Sequence, residues 1–336
     1  MRHVPSVDVI YTHTEGEPTC IVHSGIQYPP GTDILTKRQF LQTHYDGVRR
    51  GLMREPRGHH HMFGVFLTPP SSERHDAGMI WMDGHRFVEM CGHGTIALGM
   101  AMVSHGLVEH RGAETPIAFE TPVGDVNAVV ESDNGLARAT RFTNVPAFVT
   151  QQDVPVELPE VGTLYADIVF GGNFFAIVKW PSEVRAIAPE NGSFFADAGL
   201  RIREQIRDKV TIRHPIHEDG PGLHFVTFWH EPTRPDSFYR NVHVFSDGKM
   251  DRSPGGTGTS AMMAMFEARG MLEAGKTIRS EGLLGSGQFE GWIEGETRVG
   301  DTRAVIPTVR GTASLTGYAK WLFDPSDPLR EGFIIS

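Results

Sequence analysis

The segment "SPGGTGTSA" at residues 253–261 has a near copy, "MCGHGTIALG", at residues 90–99. An offset of 164 sets Cys91 on Gly255, Gly92 on Gly256, His93 on Thr257, Gly94 on Gly258 and Thr95 on Thr259. The same offset sets Ala97 on Ala261 and Gly106 on Gly270, so the register holds over a whole helix-length segment. A repeat kept in register that far argues for an internal duplication. The chain then has to fold as two similar α/β halves, each aiming one helix N-terminus at a shared cleft. Its 336 residues suit that plan, at roughly 150 residues per domain.

A helix start carries unpaired backbone N–H groups and a partial positive charge, and glycines there let a ligand approach the backbone. Two such ends make a site for a small anion such as a carboxylate. Phosphate is the competing anion. A P-loop needs GxxxxGK[ST], and "GGTGTSA" has no lysine and follows Pro254 rather than a strand, so nucleotide binding is set aside.

Cys91 stands just ahead of the first helix, where a thiol is expected to ionise more readily than usual. It is read as reactive. Cys20, in a strand-like run, is read as a buried structural cysteine. His93, in the same turn as Cys91, is read either as a substrate contact or as a histidine bonded to the helix start. Asp251 is read either as the partner of a substrate amine or as a partner of the helix dipole. The run His59–His61 is not read as a metal site, because neighbours in an extended segment point to opposite faces. "HTEGE" lacks the HExxH spacing, and "GLLGSGQFEG" has no triad context.

The remaining segments alternate. "VDVIYTHTEGEPTCIVHSG", "HMFGVFLTPP", "AGMIWMDGHRFVEM", "IAFETPVGDVNAVVES", "TLYADIVFGGNFFAIVKW", "LHFVTFWHE" and "YRNVHVFSDGKMD" read as strands. "TKRQFLQTHYDGVRRGLMREP" reads as one helical stretch with Phe40, Leu41, Tyr45, Val48 and Leu52 on one face. "GTIALGMAMVSHGL", "FADAGLRIREQIRDKV" and "TGTSAMMAMFEARGML" read as helices, the first and last stopped by Gly106 and Gly270. The expected halves are residues 1–118 with 311–336, and residues 119–310.

Forty-one acidic against 31 basic residues give a net charge of −10, which speaks against a nucleic-acid or anionic-membrane surface. "KRQF" and "VRRGLMREPR", the two basic clusters, are read as solvated helix faces. Two cysteines cannot build a disulfide scaffold at this size. With no signal-like N-terminus and no run of about 20 apolar residues, the chain reads as cytoplasmic.

Taken together, "MCGHGT", "DRSPGGTGTSA", "THTEGEP", "MREPRGH", "GGNFF" and "SEGLLGSGQFEG" resemble the proline racemase family, in order and along essentially the whole chain. That family includes proline racemases, 4-hydroxyproline epimerases and trans-3-hydroxy-L-proline dehydratases. The resemblance implies a diaminopimelate-epimerase-like α/β fold, each half a sheet wrapped around a central helix with the site between them. It also implies a homodimer that uses no cofactor and no metal. Carried over residue by residue, Cys91 matches the first of two proton-transferring thiols. Gly92 and His93 match substrate-contacting positions, Asp251 the contact to the ring amine, and Gly256 and Thr257 the second helix start. His224, in "GLHFVTF", is placed as a further substrate contact.

The departure is Gly255, where the racemases have their second cysteine and the dehydratases a threonine. Inversion at Cα needs a proton acceptor and a donor on opposite faces, whereas dehydration needs one base. The leading expectation is therefore dehydration of trans-3-hydroxy-L-proline to Δ1-pyrroline-2-carboxylate with Cys91 as the single base. His93, Thr257 or a water would protonate the leaving hydroxyl. The alternative is a proline racemase or 4-hydroxyproline 2-epimerase in which water replaces the second thiol, and in which Gly255→Cys raises inversion. A second alternative is a non-catalytic imino-acid binding protein.

Overall fold

The computed structural model describes residues 5–216 and 222–335, which group into two compact units. The first is Met1–Phe142 with Thr312–Ser336, and the second is Thr143–Gly311. The boundary falls at 142/143 rather than at the expected 118/119, for a reason the strand pairing supplies.

The first unit contains β1 (Ser6–Thr14), β2 (Glu17–Ser24), α1 (Ile34–His44), α2 (Asp46–Met53), β3 (Phe63–Thr68), β4 (Ala77–Asp83), β5 (Phe87–Val88), α3 (Gly92–Ser104), β6 (Glu114–Thr121) and β7 (Gly124–Asp133). β8 (Leu136–Thr143) runs up to the boundary. The second unit contains β9 (Phe148–Leu158), β10 (Gly162–Phe170), β11 (Phe174–Lys179), α4 (Gly192–Lys209), β12 (Leu223–His230), β13 (Tyr239–Phe245), α5 (Gly256–Ala268), β14 (Ile278–Glu281), β15 (Gln288–Val299) and β16 (Thr302–Gly311). The chain then returns to the first unit as β17 (Ser314–Leu322).

The strands of the two units repeat one pairing pattern. In the first unit the order β17–β1–β2–β3–β4–β6–β7 runs antiparallel, antiparallel, parallel, antiparallel, parallel, antiparallel. In the second, β9–β10–β11–β12–β13–β14–β15 runs through the same six steps. β6 pairs with β4 and β7 with β6, and this holds "IAFETPVGDVNAVVES" in the first unit.

Register sharpens the repeat. Val65 faces Trp81 across β3–β4, and Thr227 faces His243 across β12–β13. Both pairs are related by 162 positions, whereas the helices follow at 164, so the connection gained two residues between strand and helix.

Each sheet wraps a buried helix. Every residue of α3 from Gly92 to Val103 is buried, as is every residue of α5 from Gly256 to Phe266. Helices apolar on all sides belong inside a core rather than on its surface. Each fully buried Leu, Ile, Met or Phe contributes about 1.5–3 kcal/mol by leaving water. Gly106 and Gly270 end the two helices with φ of +71° and +68°.

Two expectations need correction here. The stretch at residues 36–56 is not one helix. Tyr45, at φ −126° and ψ 11°, closes α1 and opens α2. Leu41 and Leu52 are buried as expected, while Phe40, Tyr45 and Val48 are only half-buried. The basic clusters are not solvated faces either. Lys37 and Arg49 are buried. Lys37 Nζ donates to the Pro69 carbonyl at 2.7 Å, and Arg49 donates to the Asp83 carbonyl at 2.7 Å. Arg54 and Arg57 likewise donate to backbone carbonyls of Gly84 and Arg330. These cations satisfy backbone oxygens inside the fold. Among the described residues no helix is long and apolar enough to cross a membrane.

Candidate functional site

Cys91 caps α3 with extended backbone, φ −138° and ψ 106°, and its carbonyl accepts from Thr95 N–H at 3.0 Å and Thr95 Oγ1 at 2.8 Å. The cysteine side chain makes no capping hydrogen bond, which leaves the first-turn N–H groups without one from it. Sγ lies 3.5 Å from Nδ1 and 3.4 Å from Nε2 of His93. Cys91 is 3% and His93 4% exposed. The His93 ring also packs edge-on against Phe63, and Thr14 Oγ1 donates to the His93 carbonyl. The first helical turn of the first unit thus presents a thiol, an imidazole and the N–H groups of a helix start together.

An unsubstituted position is what makes room for that thiol. A β-carbon on Gly94 would meet Trp81 Cζ3 at 2.4 Å and Cys91 Sγ at 2.9 Å. Trp81 on β4 and Sγ both lie in the space that Gly94 leaves.

In the second unit Gly255 caps α5 at φ +78° and ψ 113°, a region that favours glycine. Its carbonyl accepts from Thr259 N–H at 2.7 Å. Its own N–H donates to Ser253 Oγ at 3.1 Å. Ser253 in turn donates both Oγ–H and N–H to Asp251 Oδ1, at 2.7 and 2.8 Å. Asp251 is 6% exposed. Burial raises its carboxyl to about 6, against the opposing pull of the Ser253 hydrogen bonds and Arg252. Gly256 and Thr257 form the first turn of α5, both buried.

The structure thus brings Cys91, Gly92 and His93 together at one helix start, and Asp251, Gly255, Gly256 and Thr257 at the other. His224 is at a β-bulge: Phe174 pairs with Leu223 and Phe175 with Phe225, leaving His224 as the extra residue on β12. Cys20 is fully buried, and burial pushes its thiol up to about 12, which fits the structural reading. His59–His61 lie in a turn rather than an extended segment, with the His60 and His61 rings 5.2 Å apart. The alternation argument used for them therefore does not apply.

One residue was missed. His243 on β13 occupies the place that Trp81 holds on β4, and it is 1% exposed. Its Nδ1 is 2.7 Å from Thr227 Oγ1 and its Nε2 is 2.9 Å from the Pro254 carbonyl. A β-carbon on Gly255 would meet Nε2 at 2.3 Å and Cδ2 at 2.4 Å. One on Gly258 would meet Cε1 at 2.2 Å. Burial lowers the His243 imidazole to about 4, so at neutral pH it is uncharged. The signal in the sequence was a histidine in "YRNVHVF", whose place emerges only once the strands are laid on each other.

The family described as proline racemase matches residues 9–334. The chain is 56% identical over 336 residues to a 4-hydroxyproline 2-epimerase of Cereibacter sphaeroides, covering 100% of both chains. It is 38% identical over 338 residues to a trans-3-hydroxy-L-proline dehydratase of Azospirillum brasilense, again covering 100% of both. It superposes with a TM-score of 0.92 and 30% identity on the crystal structure of a hydroxyproline epimerase from Agrobacterium vitis with bound trans-4-hydroxy-L-proline, covering 100% of this chain and 96% of that one.

These likenesses overturn the expectation of a dehydratase and of a lyase. The full-length epimerase relative stands at 56%, the dehydratase at 38%. The expectation rested on counting acid/base side chains within the two motifs alone, and that count overlooks any group a neighbouring strand supplies. Full-length likeness in sequence and fold, with the doubled helix-start motif in both units, places this chain in the proline racemase family.

Proposed function

We propose that the protein is a 4-hydroxyproline 2-epimerase, inverting the α-carbon of the imino acid without changing its 4-hydroxyl. The observation that carries this reading is the 56% identity over the whole chain to an enzyme of that activity. The buried thiol at the start of α3 supports it chemically.

In this reading Cys91 exchanges the α-proton on one face. As thiolate it takes the proton, and the electron pair left on Cα spreads into the carboxylate. Backbone N–H groups at a helix start suit that developing charge, each good donor contributing roughly 2.7–4 kcal/mol. The His93 ring lies beside the thiol, with Sγ 3.5 and 3.4 Å from its two nitrogens. Asp251 serves the ring ammonium. Its burial is costly for the charged form, and a bound cation lowers that cost. Thr257, Gly92 and Gly256 line the helix starts, and His224 is a further contact at its bulge.

The test is direct. The purified protein is incubated in D2O with trans-4-hydroxy-L-proline and followed by proton NMR. The cis-4-hydroxy-D isomer should appear with deuterium at Cα. If neither inversion nor exchange develops, while the protein remains folded, the reading is wrong.

A further inference from the structure

Inversion requires a proton carrier on each face of Cα, and the second copy of the motif has no side chain at the position that matches Cys91. We propose that His243 is the second acid/base of the epimerase, its imidazole taking the place that a side chain at residue 255 would have. This rests on the epimerase reading above.

Three observations support it. Nε2 and Cδ2 of His243 lie 2.3 and 2.4 Å from the point where a residue-255 β-carbon would sit. The imidazole thus fills the volume of the missing group. Second, the internal repeat puts a tryptophan, which does not titrate in water, on β4 beside the thiol, and a titratable ring at the matching place on β13. The copy with the thiol lacks the imidazole at this place, and the copy with the imidazole lacks the thiol. Third, the hydrogen bonds of His243 tolerate a change of proton state. A carbonyl can only accept, so Nε2 carries a proton towards Pro254. That carbonyl also accepts from Asn241 Nδ2 at 3.0 Å, so it keeps a donor when Nε2 turns to another partner. The Thr227 hydroxyl can donate to bare Nδ1 or accept from Nδ1–H.

The step balances without a co-reactant. In one direction a thiolate at Cys91 breaks the Cα–H bond, the electron pair enters the carboxylate, and Nε2–H of His243, which carries the second proton in that state although the resting ring is uncharged at neutral pH, delivers it to the opposite face. His243 is left neutral, with its proton on Nδ1 facing Thr227, and Cys91 is left as thiol. That pair of states is the one required for the reverse direction, in which Nε2 accepts and Sγ donates.

The test is stereochemically resolved exchange in D2O, with trans-4-hydroxy-L-proline and cis-4-hydroxy-D-proline supplied separately to wild type, His243→Gln and Cys91→Ala. His243→Gln is expected to lose inversion by at least about 100-fold while still exchanging the α-proton of one isomer. Cys91→Ala is expected to exchange only the other. Inversion by His243→Gln within about threefold of wild type overturns the proposal and leaves the epimerase reading standing. So does an equal loss of exchange from both isomers, which marks a positioning role. Wild type inert towards both isomers overturns the two together. Should His243→Gln not fold, the exchange that survives in Cys91→Ala must fall at least tenfold when Thr227→Val is added. Unchanged exchange in that double variant overturns the proposal.

Discussion

Helices α3 and α5 are each 13 residues long, buried up to Val103 and Phe266 and opened by the same pattern, yet their caps have opposite backbone handedness. Cys91 sits at φ −138° and Gly255 at φ +78°. The first cap uses an ordinary extended residue and holds its side chain beside His93. The second places Gly255 where L side chains are strained, with an imidazole from β13 packed against it. The duplicated helix start thus keeps one cap position in both units, filled by an extended cysteine in the first and by a left-handed glycine packed against a strand imidazole in the second.

The sharpest way to break the symmetry is at the thiol. Cys91→Ala should lower inversion by roughly 10²–10⁴-fold, measured as the rate of appearance of the opposite isomer. Cys20→Ala, in the buried strand β2, is the matched control. It should leave the rate within about twofold while costing about 1 kcal/mol of stability.

Next comes the cap of α5. Gly255→Cys should not raise inversion, contrary to what motif counting predicts. The new residue meets positive φ, at roughly 1–3 kcal/mol, and its β-carbon collides with His243, at roughly another 1–3 kcal/mol. A thermal melt should show a marked loss of stability, and the inversion rate should fall. A rate above wild type would mean that His243 moves aside freely and that the two caps are interchangeable.

Smaller effects are expected one turn into each helix. Gly94→Ala presses on Trp81 and Gly258→Ala on His243, and each should cost roughly 1–3 kcal/mol in chemical denaturation. The two should differ in activity. Gly258→Ala displaces the imidazole, whereas Gly94→Ala displaces Trp81 and the thiol together, so Gly94→Ala is expected to be the slower enzyme.

The mildest test uses pH. Asp251 has its carboxyl raised to about 6 in the folded chain from 3.8. The sign follows: the raised value favours the protonated folded state, so its contribution to stability is full below 3.8 and lost as pH climbs through 6. For binding the direction reverses, because only the carboxylate pairs with a ring ammonium. KM for the imino acid should rise as pH falls below about 6, with that limb absent in Asp251→Asn.

How much of this could be read from residues alone differs between the two caps. The helices, their stops at Gly106 and Gly270, and the pairing of Cys91 with His93 in one turn are local features, and local spacing carries them. The break at Tyr45 and the inward-bonded Lys37 and Arg49 depend on carbonyls supplied by distant segments, which periodicity does not record. His243 was hidden for a further reason. The helices repeat at 164 and the strands at 162, so a register taken from the helix motif slides past the strand residue that matters.

The return of the chain as β17 has a consequence for biosynthesis. Ser6 pairs with Leu322 and Val9 with Ala319, so β1 lacks that neighbour until nearly the whole polypeptide exists. The second unit, by contrast, is one uninterrupted stretch, Thr143–Gly311. On a ribosome the half made later can close before the half made earlier. Nascent chains stalled with residue 311 clear of the exit tunnel should already resist protease across the second unit while residues 5–142 remain open to cutting.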